Sequence, residues 1–247
     1  MAEKQLHDKV VIVTGGATGI GRCAVQHLLS QGAKVASLDI SPRPNSENSK
    51  LLIISCDISQ EKQVNAAVAS IATEWKKIDV LINCAGVLDR HAAVGSVDNE
   101  DWRKCFAVNV DGPMFLMRAC VPYFLEQESG GRIVNFCSTA SIRGAACGAA
   151  YTASKHALLG LSRSTAWMYA KQGVQCNALV LGPTIGTNIT NTEKEADAFG
   201  FERMQPYMSL LPGVLNADDI MPSLMYLLTA PGINGVELAV DHGWTTA

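Results

Sequence analysis

The stretch Val10-Val11-Ile12-Val13-Thr14-Gly15-Gly16-Ala17-Thr18-Gly19-Ile20-Gly21 carries the first structural decision of this chain. Four consecutive apolar residues, all of them β-branched, read as a strand covered on both faces. The glycines that follow read as a tight turn, and the pattern after Gly21 is helical over residues 21–31. A strand that turns directly into a helix aims unpaired backbone N–H groups, and the positive end of the helix dipole, at whatever lies above the turn. A side chain at Gly15 or Gly19 would obstruct the turn or the approach of a phosphate, and Gly21 lets the helix close on the strand. Thr18 and Ile20 complete the loop. The turn is a candidate pyrophosphate cradle, and a plain strand-to-helix turn is the simpler alternative.

Working outward, apolar runs and helical patterns alternate along the chain. Strands are expected at 34–38, 51–55, 80–83, 132–137, 175–180 and 236–240, and helices at 60–75, 99–128, 152–172 and 217–229. That order predicts an α/β fold: one Rossmann-type doubly wound domain over residues 1–247, with a mostly or wholly parallel seven-stranded sheet flanked by helices. The cofactor half would cover about residues 1–130 and the catalytic and substrate half about 131–247. Two stretches break the rhythm. SPRPNSENSK (41–50) holds two prolines and suits a loop in place of a crossover helix. Residues 184–213 mix polar groups with Phe199, Phe201, Met204, Tyr207 and Met208, and suit a lid.

Composition narrows the function. Of 247 residues, 48% are apolar and 17% charged, with a net charge of −3, so no basic footprint for nucleic acid or an anionic membrane exists. No apolar run reaches the length of a membrane span. Eight cysteines without a CxxC pair read as free thiols, and the expected location is cytoplasmic. His91, His156 and His242 show no metal-ligand spacing among themselves or with cysteines, so no catalytic metal is expected.

Asp39 follows the second expected strand, eighteen residues beyond Gly21. A carboxylate there accepts hydrogen bonds from both hydroxyls of an adenosine ribose and repels a 2′-phosphate, which favours NAD over NADP. Further along, Tyr151 and Lys155 stand four apart at the start of a helical pattern and share one face. An ammonium beside a phenol favours the phenolate, which would suit Tyr151 to move the proton of an alcohol. Ser138, at the end of a strand, could hold the substrate oxygen nearby. Each signal alone has a bland reading: a surface pair, a turn serine, a strand-end aspartate. Arg143 could meet an anionic substrate, though a solvated loop arginine is the plainer reading.

TGGATGIG (14–21), NCAG (83–86), Asn109, Ser138 and YTASK (151–155) occur in the order and spacing of the short-chain dehydrogenase/reductase superfamily, which the chain resembles over essentially its whole length. The resemblance implies a catalytic set of Asn109, Ser138, Tyr151 and Lys155. It implies that Lys155 bonds the nicotinamide ribose, and that Asn109 kinks its helix and holds a water joined to the lysine. It implies cofactor contacts from Asp57 and Ile58, from Asn83, Ala85 and Gly86, and from Pro183, Ile185 and Thr187, with Ile185 offering backbone bonds to the carboxamide. Cys84 replaces a common asparagine, and the usual Pro-Gly of the family stands reversed as Gly182-Pro183. The expected activity is hydride transfer between NAD(H) and a secondary alcohol or ketone. The alternatives are an NADPH-dependent carbonyl reductase of the 3-oxoacyl type and a non-catalytic NAD-binding regulatory or scaffolding protein. The partners expected are a small-molecule substrate and further copies of the chain, as a homotetramer or homodimer.

Overall fold

The computed structural model describes residues 5–41, 48–187, 189 and 196–247. Seven strands form one sheet: β1 (Val10–Thr14), β2 (Lys34–Asp39), β3 (Leu51–Ser55), β4 (Val80–Asn83), β5 (Gly131–Ser138), β6 (Val174–Leu181) and β7 (Glu237–Val240). Their order is β3-β2-β1-β4-β5-β6-β7, and every neighbouring pair is parallel. The chain order reverses between β1 and β4, so the carboxyl ends of those strands open a crevice, the usual ligand position in such sheets.

The helices are α1 (Gly19–Ser30), α2 (Glu61–Trp75), α3 (Asn99–Phe106), α4 (Gly112–Leu125), α5 (Ala149–Met168), α6 (Ala198–Met208) and α7 (Ala217–Thr229). Strand periodicity decides which helix each residue meets. Val11 and Val13 point to the face covered by Leu28 of α1 and Leu224 of α7. Val10 and Ile12 point to the opposite face, against Val64 and Ile71 of α2 and Leu116 and Phe124 of α4. With both faces covered, β1 is wholly buried, and each of its four apolar side chains contributes about 1.5–3 kcal/mol of transfer free energy.

Three local features differ from the expected element bounds. The expected helix at 99–128 is broken by a π-helical turn, Ala107–Asp111, between α3 and α4. The helix expected from Thr152 begins at Ala149, which puts Tyr151 in its first turn, and it ends at Met168. The expected lid contains the 11-residue helix α6, although it carries Gly200 and Pro206. Of the loop expected at 41–50, residues 42–47 lie outside those described, as do 188 and 190–195 of the lid. Among the described residues, no helix is long and apolar enough to cross a membrane.

Candidate active site

The register of β5 on β6 pairs Ser138 with Leu181, so both strands end at one level and release their loops over the crevice. Two cavities open there. One, of about 450 Å³, is lined by Ser138, Tyr151, Lys155, Pro183 and Trp244 among others. The second, of about 610 Å³, is lined by the glycine turn, Asp39, Asp57, Ile58, Ala85 and Gly86. Ile20, Cys84, Gly86, Thr187 and Ile189 belong to both, so the two are continuous.

Tyr151 owes its position to a buried acid. The N-cap of α5 is Gly148, which has no side chain to cap with. The carboxylate of Asp89, 1% exposed, does that work from a distance, accepting the Tyr151 N–H at 3.0 Å. A Cβ on Gly148 would stand 2.5 Å from Asp89 Oδ1, which explains the glycine. Sequence reading missed Asp89, because a cap sixty-two residues away leaves no local signature.

Lys155 is 4% exposed and donates to the Phe136 carbonyl at 2.8 Å, which lays its ammonium 5.7 Å from the centroid of the Tyr151 ring. Burial lowers its pKa. Tyr151 corrects the sequence reading: burial pushes its hydroxyl well above the ordinary tyrosine range. Cys147 adds to the rise, and the hydrogen bond with Ser138 pulls against it. A ring-face ammonium tethered to a carbonyl does not supply the depression that the four-residue spacing suggests.

Asn109 lies in the π-helical turn, fully buried. Its amide donates to Val87 O at 2.9 Å and Ser154 Oγ at 3.0 Å, and its oxygen accepts the Val87 N–H at 2.9 Å. Ser154 in turn donates to Tyr151 O at 2.8 Å, so Asn109 is wired to the first turn of α5. A Cβ added to Gly86 would lie 3.3 Å from Asn109 Oδ1 and 3.5 Å from Lys155 Nζ, so both polar atoms border that glycine.

At the other cavity, Gly15 and Gly19 adopt positive φ of 68° and 50°. A Cβ on Gly21 would overlap the Gly15 carbonyl, so the helix can start this close to the turn only with glycine. Thr18 makes no side-chain cap and no acid stands in the first turn of α1, which leaves the positive helix end facing the groove. Asp39 accepts from Ala17 N at 3.1 Å and Ser41 N at 3.0 Å, which pins its carboxylate at the rim. Asp57 accepts from Ser59 N and Ser59 Oγ. The groove thus offers a backbone cradle for a pyrophosphate at its centre and a fixed carboxylate at one end.

Two expected contacts, Asn83 and Ile185, line neither cavity. Asn83 is buried behind the groove and donates to Asn135 Oδ1 at 2.7 Å. Pro183 lines the first cavity together with Ser138, Tyr151 and Lys155, on the side where a nicotinamide is expected. Ile185 lines neither, its N–H bonds Leu215 O at 2.9 Å, and its side chain is exposed, so that N–H is not offered to a carboxamide. The reversed Gly182-Pro183 has a packing reason, since a Cβ on residue 182 would stand 2.9 Å from Asp241 Cβ.

Sequence reading missed Leu88, His91, Ala146, Cys147 and Trp244 on the cavity wall, whereas Phe201, Met204 and Met208 of the expected lid do line it. Trp244 stacks on Tyr207 with centroids 4.3 Å apart and donates to the Tyr207 carbonyl at 3.1 Å, tying the chain end to α6. Arg143 is neither a solvated loop residue nor a substrate contact, for its guanidinium donates to the Thr245 carbonyl.

Comparison with known proteins fits this geometry. The family model described as short chain dehydrogenase matches residues 9–198. The chain is 34% identical to the short-chain dehydrogenase/reductase olcF of Penicillium canescens, covering 98% of each. It is 36% identical to asnovolin H dehydrogenase nvfC of Aspergillus novofumigatus, again with 98% of each covered. Among solved structures it superposes on levodione reductase with a TM-score of 0.87 at 26% identity, covering 98% of this chain and 99% of that one. The 3-ketoacyl-(acyl-carrier-protein) reductase of Brucella melitensis, complexed with NADH, gives a TM-score of 0.85 at 26% identity, with 97% and 99% covered. On these matches and on the parallel seven-stranded sheet, the chain belongs to the short-chain dehydrogenase/reductase family.

Proposed function

We propose that this oxidoreductase interconverts a secondary alcohol and a ketone with NAD(H), using Tyr151 as the acid and base. The observation that carries the reading is the convergence of Ser138, Tyr151 and Lys155 on one apolar cavity that runs into the glycine-lined groove. A nicotinamide dinucleotide, when bound, supplies the hydride acceptor or donor. The groove fits it by its glycine cradle (Gly15, Gly19, Gly21), with Thr18, Ile20, Asp57, Ile58, Ala85, Gly86 and Thr187 around the cofactor. Asp39 receives the adenosine ribose hydroxyls, and Lys155 the nicotinamide ribose.

In carbonyl reduction the Tyr151 hydroxyl donates its proton to the substrate oxygen, and in alcohol oxidation it takes that proton back. The Ser138 hydroxyl donates to the same oxygen and holds it in register. Asn109 holds the first turn of α5 through Ser154. The cavity wall of Leu88, Ile189, Phe201, Met204, Met208 and Trp244 suits a bulky, mainly apolar substrate.

An NADPH-dependent carbonyl reductase is opposed by the carboxylate of Asp39, and a non-catalytic binding protein has no use for the complete polar set. The exposed Trp167 and Met168 at the end of α5 support assembly into a dimer or tetramer, and the free cysteines support a cytosolic location. The deciding experiment replaces Tyr151 by Phe and follows NADH absorbance with a panel of apolar ketones and alcohols. Turnover falls by about 10²–10⁴-fold while NADH binding, read by fluorescence, is retained. Unchanged turnover overturns the assignment.

A further inference from the structure

Beside the substrate cavity, three side chains with metal-ligand atoms meet from distant parts of the chain. They are Asp89 and His91, from the loop after β4, and Cys147, just before α5, and their ligand atoms all lie within 4.8 Å of one another. Cys147 Sγ stands 3.4 Å from His91 Nδ1 and 3.8 Å from Asp89 Oδ1. Tetrahedral zinc with ordinary bond lengths to sulfur, nitrogen and oxygen separates its ligand atoms by about 3.3–3.6 Å. The two sulfur edges already approach that spacing.

The loop is built to hold this arrangement. His91 adopts φ of 60°, a left-handed conformation uncommon outside glycine, and Asp89 Oδ1 stabilises it by accepting the His91 N–H at 3.0 Å. Asp89 is buried, and Cys147 is 8% exposed, its small opening being onto the substrate cavity. A Cys–His nucleophile is a poorer reading. The aspartate bonds the backbone of His91 and does not orient the imidazole, as such a dyad requires.

We propose that Asp89, His91 and Cys147 form a three-ligand site for a borderline-soft divalent cation of the Zn²⁺ type, and that its occupation inhibits the enzyme. Thiolate, imidazole and carboxylate together suit zinc, whereas magnesium and calcium select oxygen. On binding, an S–Zn bond replaces the Cys147 S–H bond and one proton leaves to the buffer. His91 stays neutral, and the thiolate and carboxylate balance the dication. His91 and Cys147 line the substrate cavity as well as a smaller neighbouring cavity of about 250 Å³, and in this proposal the fourth coordination position faces the substrate cavity.

The same ion would immobilise the lid. Asp197 N donates to Arg90 O at 2.7 Å, and Gly200 of α6 packs so closely on the His91 carbonyl that no side chain fits there. Tying Cys147 to the 89–91 turn therefore locks the floor of the cavity to the element on which α6 rests. Inhibition should compete with the ketone or alcohol and not with NADH.

The test titrates untagged protein with ZnCl₂ by calorimetry and with Co²⁺ by absorbance. The wild type binds one Zn²⁺ per chain and shows the near-ultraviolet thiolate–cobalt charge-transfer band. Cys147→Ser and His91→Asn, the latter keeping a residue that tolerates positive φ, each weaken Zn²⁺ binding by about 100-fold. Cys147→Ser also loses the band, and Cys23→Ser, at a distant partly exposed thiol, changes neither readout. Absence of Zn²⁺ binding to the wild type, or equal affinity in both site variants, overturns the proposal. Should one variant fail to fold, the other and the wild-type cobalt spectrum decide. Binding is read without turnover, so the site stands or falls separately from the reaction assigned to Tyr151.

Discussion

Replacing Asp39 by Asn removes one negative charge at the rim of the groove while preserving side-chain shape. The carboxylate is held by the N–H groups of Ala17 and Ser41, and an amide oxygen can keep only one of these bonds. A 2′-phosphate replacing a ribose hydroxyl would bring a near-dianion within about 5 Å of that charge. In surroundings close to water, and with screening by ordinary salt, the repulsion amounts to about 1–2 kcal/mol. Loss of one charge-assisted hydrogen bond to the ribose costs NAD a further 1.5 kcal/mol or so. Together these shift the balance between the cofactors by about 3 kcal/mol, which is about 100-fold in the ratio of kcat/KM values. The assay measures kcat/KM for NADH and NADPH at fixed ionic strength, in the wild type and in Asp39→Asn. The wild type should prefer NADH, the ratio should fall by about 100-fold in the variant, and the fall should shrink as salt rises. A wild type that prefers NADPH, or a ratio unmoved by the substitution, refutes the reasoning.

Gly21→Ala forces a methyl group into the Gly15 carbonyl. It should lower stability by about 1–3 kcal/mol and weaken NADH binding more than substrate binding, as denaturation curves and NADH fluorescence would show. Asp79 is buried, and burial alone would raise its pKa. The Val10 N–H at 2.8 Å and the ammonium groups of Lys77 and Lys9, each at 2.9 Å, hold it below the usual carboxylate range instead. Its stabilisation is therefore complete above the unfolded-state pKa and is lost as pH falls through the lower folded-state value. Asp79→Asn should cost about 1–2 kcal/mol at neutral pH, and the difference from wild type should close in acid, read by urea denaturation across pH. Trp244→Phe removes the bond to the Tyr207 carbonyl while keeping a ring to stack on it. The expected result is a rise of roughly 5–10-fold in KM for apolar substrates with cofactor affinity unchanged in steady-state assays.

Much of the architecture was legible because it rests on local signals. Strands such as Val10–Thr14 and Val80–Asn83 are short apolar runs buried on both faces, and the glycine turn announces the first crossover. Helix α6 was not legible, since Gly200 and Pro206 argue against a helix. Gly200 is there for close packing on the carbonyl of His91, a reason that exists only in three dimensions. The irregularity at Asn109 was expected only through the family resemblance; its bonds to Val87 and Ser154 are long-range, and no local pattern encodes them. Tyr151 and Lys155 were readable as a pair, but their electrostatics were not. Spacing says that the two side chains share a face. It does not say that the lysine is tethered to Phe136 O, or that burial governs the tyrosine. Arg143, Asp89 and Cys147 follow the same rule: their partners are 102, 62 and 56 residues away.

The wall common to the two cavities dictates a sequence of arrivals. Ile20, Cys84, Gly86, Thr187 and Ile189 border both spaces. A dinucleotide seated along the groove becomes part of the surface against which the second reactant packs, and until it arrives that surface is incomplete. On the function proposed above, this predicts a compulsory-order cycle with the dinucleotide entering first and leaving last, which product-inhibition patterns would check. The alcohol or ketone comes and goes over it beneath α6.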